Sequence, residues 1–320
     1  MKMVMTTVSA ALAAAFAGCA SCGDAREAGC AKPGEAKCGA KCGARPSPRP
    51  ASPSCRASRM PFRLGVAPRM APVPAGANAL TAQEKAEGYE LLFDGRNLPS
   101  DKWVGVRCGC RTFPEKGWFV KDGCLTMRPQ SMINDDGRWA KLPPEDAKLG
   151  GGGDIATVKK YTDFAFKFDF RMTPKANSGV KYFFDENLNS ASCEEYQVLD
   201  SGHPDYTKGK GGNRQVAALY DLFPAPLAGK ALRPVGQWNS GMVVSKGSKV
   251  EHWLNGVKVL EYERGSESFR KAVDGSKYKK WGKDAAGRPQ RWGELKSGRL
   301  LLQDHTDSTV SFCNLKVKAL

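Results

Sequence analysis

The run from Phe164 to Met172 constrains the fold of this chain more than any other stretch. Phenylalanine occupies positions 164, 166, 168 and 170, and small or charged residues stand between them. Successive side chains of a β-strand point to opposite faces of a sheet, so the run predicts a strand with one aromatic face. Because that face must be buried, the strand requires a second layer of structure packed against it.

Short strands joined by glycine turns are predicted for the rest of the folded part. Lys121-Asp122-Gly123 and Asn255-Gly256 are typical of β-hairpin turns, because Asp, Asn and Gly tolerate positive φ. The other predicted strands are Tyr89–Phe93, Trp118–Val120, Cys124–Met127, 178–184, 195–200, Ala217–Leu222, Trp238–Ser245, Val250–Leu254, Val257–Tyr262, Gly298–His305 and Val310–Val317.

Helical signals are few. A capping box from Thr81 to Glu84 opens a helix that Gly88 ends, and one helical turn is predicted around Glu267–Ala272. A parallel sheet needs crossover helices, which this pattern lacks. The sequence therefore predicts an all-β fold of two packed antiparallel sheets, with polar loops at 128–150 and 264–297.

The first 80 residues have a different character. Lys2 and the apolar, Ala-rich run that follows predict an export or lipoprotein signal over residues 1–19. Phe16-Ala17-Gly18-Cys19 resembles a lipoprotein cleavage site, so secretion and a lipid anchor at Cys19 both fit, with a periplasmic, outer-membrane or secreted location. Residues 20–80 are rich in Cys, Pro and Ala without periodicity, which predicts a disordered linker. The domain is predicted over 81–320, with no membrane span after processing.

The net charge of +16 is spread along the chain. Residues 1–84 carry 11 Lys and Arg against 4 Asp and Glu, and residues 85–320 carry 38 against 29, giving +7 and +9. No basic stripe with interleaved aromatic residues and no nucleic-acid-binding motif accompanies this excess, so no nucleic-acid partner is predicted. A basic surface also suits anionic polymers of an envelope or matrix.

Eleven cysteines suggest an oxidising compartment. Six lie before residue 56, where the lack of His and of hydrophobic periodicity argues against a zinc site. In the body, Cys108 and Cys110 are too close in sequence to pair with each other, and either is a candidate partner for Cys124.

Several chemistries are excluded by missing motifs. The glycine run from Gly150 to Gly153 is not followed by Lys and Ser or Thr, as a phosphate-binding loop requires. The sequence also has no Gly-x-Ser-x-Gly elbow and no His-Glu-x-x-His motif, which excludes the common serine hydrolases and zinc proteases. No cofactor is predicted, although the Asn134-Asp135-Asp136-Gly137 loop offers a few oxygen ligands for calcium.

Two predicted strands carry polar side chains on one face. In the first, Glu195 and Gln197 point away from Tyr196 and Val198, which form a core-like face. In the last strand but one, Gln303 and His305 also share a face. If the two faces coincide, the four polar residues form a general acid–base site, whereas the simpler alternative is a solvated surface.

The remaining candidates are less constrained. His252 lies in the middle of a hairpin strand and is predicted to be structural, whereas His203 lies in an open loop. Carboxylates that could act in glycoside hydrolysis are Glu194, Glu195, Asp200 and Asp154, but no spacing selects a pair.

From about Gly88 to the C-terminus, the chain resembles the 3-keto-disaccharide hydrolase domain family, because a set of motifs occurs in the order that the family shows. Each motif is weak alone, and the whole ordered set is specific. They are Tyr89–Gly95, Gly152–Ile155, Asn177–Phe183, Glu195–Asp200, His203–Asp205, Gly212–Arg214, Leu219–Leu222, Val250–Gly256 and Leu302–His305.

The resemblance implies a concanavalin-A-like jelly-roll sandwich that cleaves glycosides oxidised at C3. It implies that Glu195 and His305 are the catalytic base and acid, in either order. It also implies substrate contacts from polar residues and from two aromatic residues that could stack on a sugar. These are Gln197, Asn177, Lys181, Asp200, His203, Gln303 and Asp154, together with Tyr220 and Trp253.

The chain departs from the family pattern at two places. Thr306 follows the Gln-Asp-His run where glycine is usual, and Cys313 stands where an arginine is expected before Asn314. If that arginine served the active site, its loss would threaten activity. Cys313 is also a candidate disulfide partner of Cys193.

Two other functions remain open from the sequence. The same sandwich could be a carbohydrate-binding module that holds a sugar without cleaving it. Alternatively, the basic, Cys-rich tail could make the chain a surface or matrix protein.

Overall fold

Two antiparallel β-sheets pack face to face in the computed structural model, which describes residues 69–133, 139–188, 193–281 and 291–320. All of these belong to one unit that extends from residue 63 to residue 320. The predicted signal, the tail cysteines and the calcium loop at 134–137 lie outside the described residues, so those predictions stay predictions.

The strands are short and the helices are few, as the sequence predicts. In chain order, the strands are β1 (Glu90–Leu91), β2 (Trp103–Gly105), β3 (Trp118–Lys121), β4 (Cys124–Met127), β5 (Ser131–Ile133), β6 (Trp139–Lys141), β7 (Ile155–Thr157), β8 (Phe164–Met172), β9 (Asn177–Phe184), β10 (Glu194–Leu199), β11 (Trp238–Lys246), β12 (Lys249–Leu254), β13 (Val257–Glu263), β14 (Arg299–Leu302) and β15 (Val310–Ala319). The helices are α1 (Ala82–Ala86), α2 (Pro144–Leu149), α3 (Ala228–Ala231), α4 (Glu267–Asp274) and a 3-10 helix (Lys277–Trp281).

The larger sheet has the strand order β13-β12-β11-β8-β15-β4-β3, and β1 pairs with β15 at its side. The smaller sheet has the order β10-β9-β14-β7-β2, and β5 and β6 form a separate hairpin. Every strand pair in the described residues is antiparallel. The all-β, two-sheet prediction is confirmed.

The aromatic face of β8 is the centre of the core, as its alternation predicts. All four of its phenylalanines are fully buried, and Phe168 meets Tyr196 of the opposite sheet edge-on, with 5.1 Å between ring centroids. Each buried phenylalanine contributes about 2 kcal/mol of hydrophobic stabilisation, so this strand is a main source of the packing between the two sheets.

Both predicted hairpin turns are confirmed. Asp122 and Gly123 have φ of 50° and 74°, and Asn255 and Gly256 have φ of 50° and 83°. Positive φ at two successive residues defines the type I′ turn, whose twist matches that of the flanking strands. The capping box is also present, since Thr81 Oγ1 accepts from Glu84 N and Glu84 Oε2 accepts from Thr81 N, both at 3.1 Å.

A chain of hydrogen bonds crosses the core between the sheets. His252 Nδ1 donates to the carbonyl of Ala217 at 2.7 Å, so its Nε2 accepts from the hydroxyl of Tyr182 at 2.8 Å. Tyr262 then donates to the Tyr182 oxygen at 2.8 Å. Burial lowers the pKa of His252 to about 4. His252 is therefore a neutral structural residue, as predicted.

Residues 69–80 are packed on the domain, although they were predicted to belong to the linker. The linker was expected to run to residue 80, but Ala71 N donates to Gly236 O at 2.8 Å and Val73 packs on the cluster around Trp238. Asn78 and Asn314 exchange two hydrogen bonds of 2.7 and 2.9 Å between backbone N–H and side-chain oxygen. These contacts, which a Pro- and Ala-rich composition does not reveal, place the segment on the larger sheet.

Two loop and strand assignments also need correction. Residues 217–222 were predicted as a strand, but Ala217 and Asp221 have φ of 62° and 64° and interrupt any regular strand. The segment follows the edge of β10 instead, with Ala217 N donating to Gln197 O and Tyr220 N to Glu195 O. The predicted polar loop at 128–150 contains the β5–β6 hairpin and α2.

The proposed disulfides are wrong, since no disulfide joins Cys193 to Cys313 or Cys124 to Cys108 or Cys110. Cys193 packs with Phe184 and Leu301 in a cluster that Cys110 borders, whereas Cys313 packs with Cys124 and Trp238 in another. Cys313 and Cys193 therefore lie in different clusters and do not form a disulfide. Cys124 likewise lies in a different cluster from Cys110.

Candidate active site

A polar cavity of about 140 Å³ lies over the face of the smaller sheet that points away from the core. Its floor comes from β9, from β10 and from the residues directly after β14, and its roof comes from loops. The lining residues are Asn177, Lys181, Glu195, Gln197, Asp205, Tyr220, Lys277, Tyr278, Gln303 and His305.

The period of the strands explains the floor. Glu195 lies opposite Lys181, and Gln197 lies opposite Gly179, in the register of β10 with β9. Tyr196 and Val198 point the other way and are fully buried in the core. The structure thus brings Glu195, Gln197, Gln303 and His305 to one cavity, which the alternation of two separate strands suggested.

Lys181 and Glu195 form the charged centre of the floor. Both are buried, and Lys181 Nζ lies 3.7 Å from Glu195 Oε2 and 4.0 Å from Asp154 Oδ2. The side-chain amide of Gln303 fits between them, with its oxygen accepting from Lys181 Nζ at 3.2 Å and its nitrogen donating to Glu195 Oε1 at 3.3 Å. The carboxylate of Glu195 is therefore held from two sides.

The pKa shifts of this pair have a simple cause. Burial raises the pKa of Glu195, and the ammonium of Lys181 opposes part of that rise. Burial alone would lower the pKa of Lys181, but the carboxylates of Glu195 and Asp154 outweigh it and raise that pKa. Lys181 is thus a fixed positive charge, and Glu195 is a carboxylate of raised basicity.

Gly179 leaves the space that the Glu195 carboxylate occupies. A β-carbon at position 179 would lie 2.2 Å from Glu195 Oε1, well inside contact distance. No other side chain fits there without moving the carboxylate, so the glycine in the Asn177–Phe183 motif has a direct function in the site.

Gln197 carries an unused hydrogen-bonding atom. It is 2% exposed, and its amide nitrogen donates to Asn177 Oδ1 at 3.3 Å. Its oxygen has no partner among the described residues. A buried polar atom without a partner costs stability, and at the floor of a cavity it is a natural contact for a ligand hydroxyl.

Asp307 lies beside both neighbouring histidines and was not predicted as a site residue. Its Oδ2 lies 3.0 Å from His305 Nδ1 and 3.2 Å from His203 Nε2. Burial raises the pKa of Asp307, but the two imidazoles outweigh this and hold that pKa at about 2. Burial lowers the pKa of His305, and the Asp307 carboxylate overcomes that effect, so the net pKa is raised.

His203 itself is a supporting residue. Its Nδ1 accepts from the backbone N–H of Asp205 at 3.0 Å, so its proton lies on Nε2 and is donated to Asp307. His203 is 3% exposed and does not line the cavity.

Three further predictions for substrate contact need correction. Asp200 accepts from Lys175 N at 2.6 Å, which ties a loop, and Asp154 accepts from Asp304 N at 2.9 Å beneath Lys181. Neither lines the cavity. Trp253 lies on β12 of the larger sheet and lines a separate groove there. Alternation along β12 turns it away from His252 and the core, so it has no access to the cavity.

The roof contains two residues that sequence reasoning missed. Lys277 and Tyr278 come from the 3-10 helix, inside a stretch predicted only as a polar loop. Tyr278 is buried and stacks on Trp292 with 4.3 Å between ring centroids. Tyr220, which the resemblance suggested, also lines the cavity.

The cysteine in place of an expected arginine has no contact with the site. Cys313 is fully buried on the larger sheet, under residues 71–77, and is not a cavity residue.

Among the described residues no group of three or more His, Cys, Asp or Glu is arranged to hold a metal ion. No described helix is long and apolar enough to cross a membrane.

The fold is a concanavalin-A-like jelly-roll sandwich, and its cavity brings a carboxylate and an imidazole together in one polar space, where they can act as a general base and a general acid. The profile of the 3-keto-alpha-glucoside-1,2-lyase-like domain matches residues 88–318. The chain therefore belongs to that family and is an enzyme of the glycoside hydrolase type.

Individual relatives agree with this assignment. A 3-keto-disaccharide hydrolase of Bacteroides thetaiotaomicron is 31% identical over 250 residues, which cover 73% of this chain and 79% of the relative. A solved structure from Parabacteroides distasonis, assigned to the glycosyl hydrolases, is 30% identical with a TM-score of 0.58. The match covers 76% of this chain and 99% of that structure.

Proposed function

We propose that this enzyme cleaves glycosides and disaccharides whose sugar is oxidised to a ketone at C3, by elimination followed by hydration. The name of the Bacteroides relative supports the substrate class. The pairing of Glu195 with His305 at one cavity is the observation that carries the mechanism.

The ketone makes the reaction accessible to side chains alone. A carbonyl at C3 acidifies the C2 proton, so a base removes it and the electron pair forms an enolate. The enolate then expels the C1 substituent, whose oxygen takes a proton from an acid, and a C1=C2 double bond results. Addition of water across that bond completes a net hydrolysis.

Glu195 is the base and His305 is the acid in this proposal. Lys181 at 3.7 Å favours the ionised form of Glu195, and Asp307 at 3.0 Å favours the protonated form of His305. The resting site therefore holds a carboxylate and an imidazolium, which is the state that elimination requires.

The same two groups serve the hydration step with reversed roles. After elimination His305 is neutral, and its Nε2 can take a proton from the attacking water because Nδ1 is held by Asp307. Glu195 returns its proton to C2. Both residues are back in their starting state at the end of the cycle.

Polar floor residues would bind the sugar. The free oxygen of Gln197 suits a sugar hydroxyl as donor, and the ring of Tyr220 at the roof offers an apolar surface for the sugar face.

The test is release of glucose from a 3-keto disaccharide, with the unoxidised disaccharide as the matched control. We expect release from the keto sugar alone, slowed about 10³-fold with Glu195→Gln. Release from both sugars at equal rates would contradict the proposed mechanism. Tight binding of the keto sugar by the wild-type enzyme without any release would instead establish a carbohydrate-binding module.

We further propose that the enzyme is exported, because residues 1–19 have the character of an export signal and Cys19 that of a lipid attachment site. Mass spectrometry of the mature N-terminus from a bacterial host checks this. A chain that begins at residue 1 after expression in an export-competent host would contradict it.

A further inference from the structure

We propose that Lys277 stabilises the negative charge that develops on the C3 oxygen when the C2 proton is removed. This inference rests on the proposed function and assigns a residue to its most demanding step. Lys277 lies on the 3-10 helix at the roof of the cavity, outside every motif that carries the family resemblance.

Lys277 faces the cavity through aromatic contacts. Its ammonium lies 4.3 Å from the centroid of the Tyr220 ring and 5.3 Å from that of Tyr278. Its side chain is accessible to solvent at the mouth of the cavity. No carboxylate forms an ion pair with it within the part of the chain that the structure describes. The tyrosines therefore orient a cation that still has all of its hydrogen-bond donors available.

Lys181 is the other lysine of the cavity, and its ammonium already interacts with protein groups. Its three N–H groups face Glu195, Asp154 and Gln303, at 3.7, 4.0 and 3.2 Å. Moving toward a substrate oxygen would leave buried carboxylates without their counter-charge, which is strongly unfavourable. Lys181 therefore maintains the charge of Glu195, and Lys277 is the cation that can respond to a new charge.

The order of the groups fits the order of the sugar atoms. C2 lies between C1, which carries the leaving group, and C3, which carries the ketone. Glu195, Lys277 and His305 all line the same cavity, so the base shares that space with a cation and an acid. Lys277 lies against Tyr220 and Tyr278, whereas His305 is held by Asp307. With C2 over Glu195, the acid serves C1 and the ammonium serves C3.

The chemical step is balanced without any other reactant. The C2–H bond breaks, the proton moves to Glu195, and the electron pair enters the C2–C3 bond while the carbonyl pair moves to oxygen. The ammonium donates a hydrogen bond to that oxygen and keeps its proton. Donors aimed at such a developing oxyanion typically contribute 10²–10³-fold in rate.

The experiment uses a 3-keto sugar with hydrogen in place of the C1 substituent. This probe keeps the acidic C2 proton but has no exocyclic leaving group, so proton exchange at C2 in D₂O reports enolate formation alone. We expect exchange with the wild-type enzyme, a loss of about 10²-fold with Lys277→Met, and partial rescue with Lys277→Arg. Lys279→Met, on the same 3-10 helix and exposed, is the matched control and should exchange like wild type.

The outcomes separate the two proposals. Absence of exchange with the wild-type enzyme would overturn the proposed function itself. Normal exchange at saturating probe with Lys277→Met would overturn only the assignment of Lys277, including the case in which the variant merely raises the KM. Circular dichroism and Tm of each variant establish that the fold is intact.

Discussion

The smaller sheet has a polar network on each of its faces, and the two networks differ in one respect. On the inner face, His252, Tyr182 and Tyr262 form a chain in which each polar atom has a protein partner. On the outer face, charged groups surround open space and the oxygen of Gln197 has no described partner. Both networks are buried and both shift pKa values. Burial alone therefore does not mark an active site, whereas unfilled hydrogen-bonding capacity at a cavity does.

Two adjacent carboxylates test this contrast most strongly. Glu195 faces the cavity, and Glu194 faces inward, where it pairs with Arg264 Nε at 2.6 Å. We expect Glu195→Gln to lower kcat about 10³-fold, because it removes the base, and to destabilise the fold less than Glu194→Gln, because Asp154 still faces Lys181. We expect Glu194→Gln to cost about 3–5 kcal/mol, because it leaves a buried guanidinium unpaired.

Keto-disaccharide turnover and urea unfolding of both variants provide the measurement. If Glu195→Gln unfolded like Glu194→Gln while retaining turnover, the outer network would be structural as well.

The inner network should control stability at acid pH. The pKa of folded His252 is about 4, below its unfolded value of about 6.5. Its contribution is therefore complete above pH 6.5 and is lost as the pH falls toward 4, by roughly 3 kcal/mol in all. We expect the stability advantage of wild type over His252→Gln to shrink by that amount between pH 7 and pH 4, as measured by urea unfolding.

Turnover at pH 7 is the control for this prediction, and it should be similar in the two proteins. A constant stability difference across the pH range would mean that His252 does not stay neutral in the folded state.

Asp307 lies at the edge of the outer network and forms an ion pair with His305. Asp307→Asn removes the charge that raises the pKa of His305, so the acid should lose its proton at a lower pH. We expect kcat to fall about 10²-fold and the basic limb of the pH–rate profile to move to lower pH. Asp304→Asn is the matched control, because Asp304 accepts from Gly153 and Thr306 rather than from a histidine.

An unchanged basic limb in Asp307→Asn would assign that limb to a group other than His305. In the wild-type profile, the acid limb should lie above the ordinary range of a glutamate, because burial raises the pKa of Glu195.

The smallest expected effect belongs to Gly179→Ala. The new methyl group would displace the Glu195 carboxylate from Lys181 and Gln303, so we expect about a tenfold loss of kcat. No backbone strain is expected, because Gly179 does not have positive φ, so any loss of stability should come from the displaced carboxylate. Gly229→Ala has nothing within 4 Å of the added carbon and is the matched control. Equal kcat for the two variants would show that the carboxylate position is not critical.

Alternation along the strands predicted the sandwich and the cavity floor. The aromatic face of β8 and the outward direction of Glu195 both follow from a two-residue period, which is local. The hairpin at Asn255-Gly256 was equally local, because the dipeptide determines the turn.

The roof could not be predicted in the same way. Lys277 and Asp307 approach the cavity through loops whose paths depend on contacts far away in sequence. The strand predicted at 217–222 was wrong, because the positive φ values of Ala217 and Asp221 cannot be recognised from the pattern of hydrophobic residues. The packing of residues 69–80 also depends on tertiary contacts, chiefly the paired Asn78 and Asn314.

The division of the cavity into a strand floor and a loop roof has a consequence for how such enzymes diversify. Glu195 is fixed by the register of β10 with β9, and a loop of altered length leaves that register intact. The roof segments around Tyr220 and Lys277 can therefore change in length while Glu195 keeps its position. Under the proposed mechanism, we expect roof changes that retain Lys277 to alter which leaving groups are accepted, and a change of Lys277 itself to slow enolate formation.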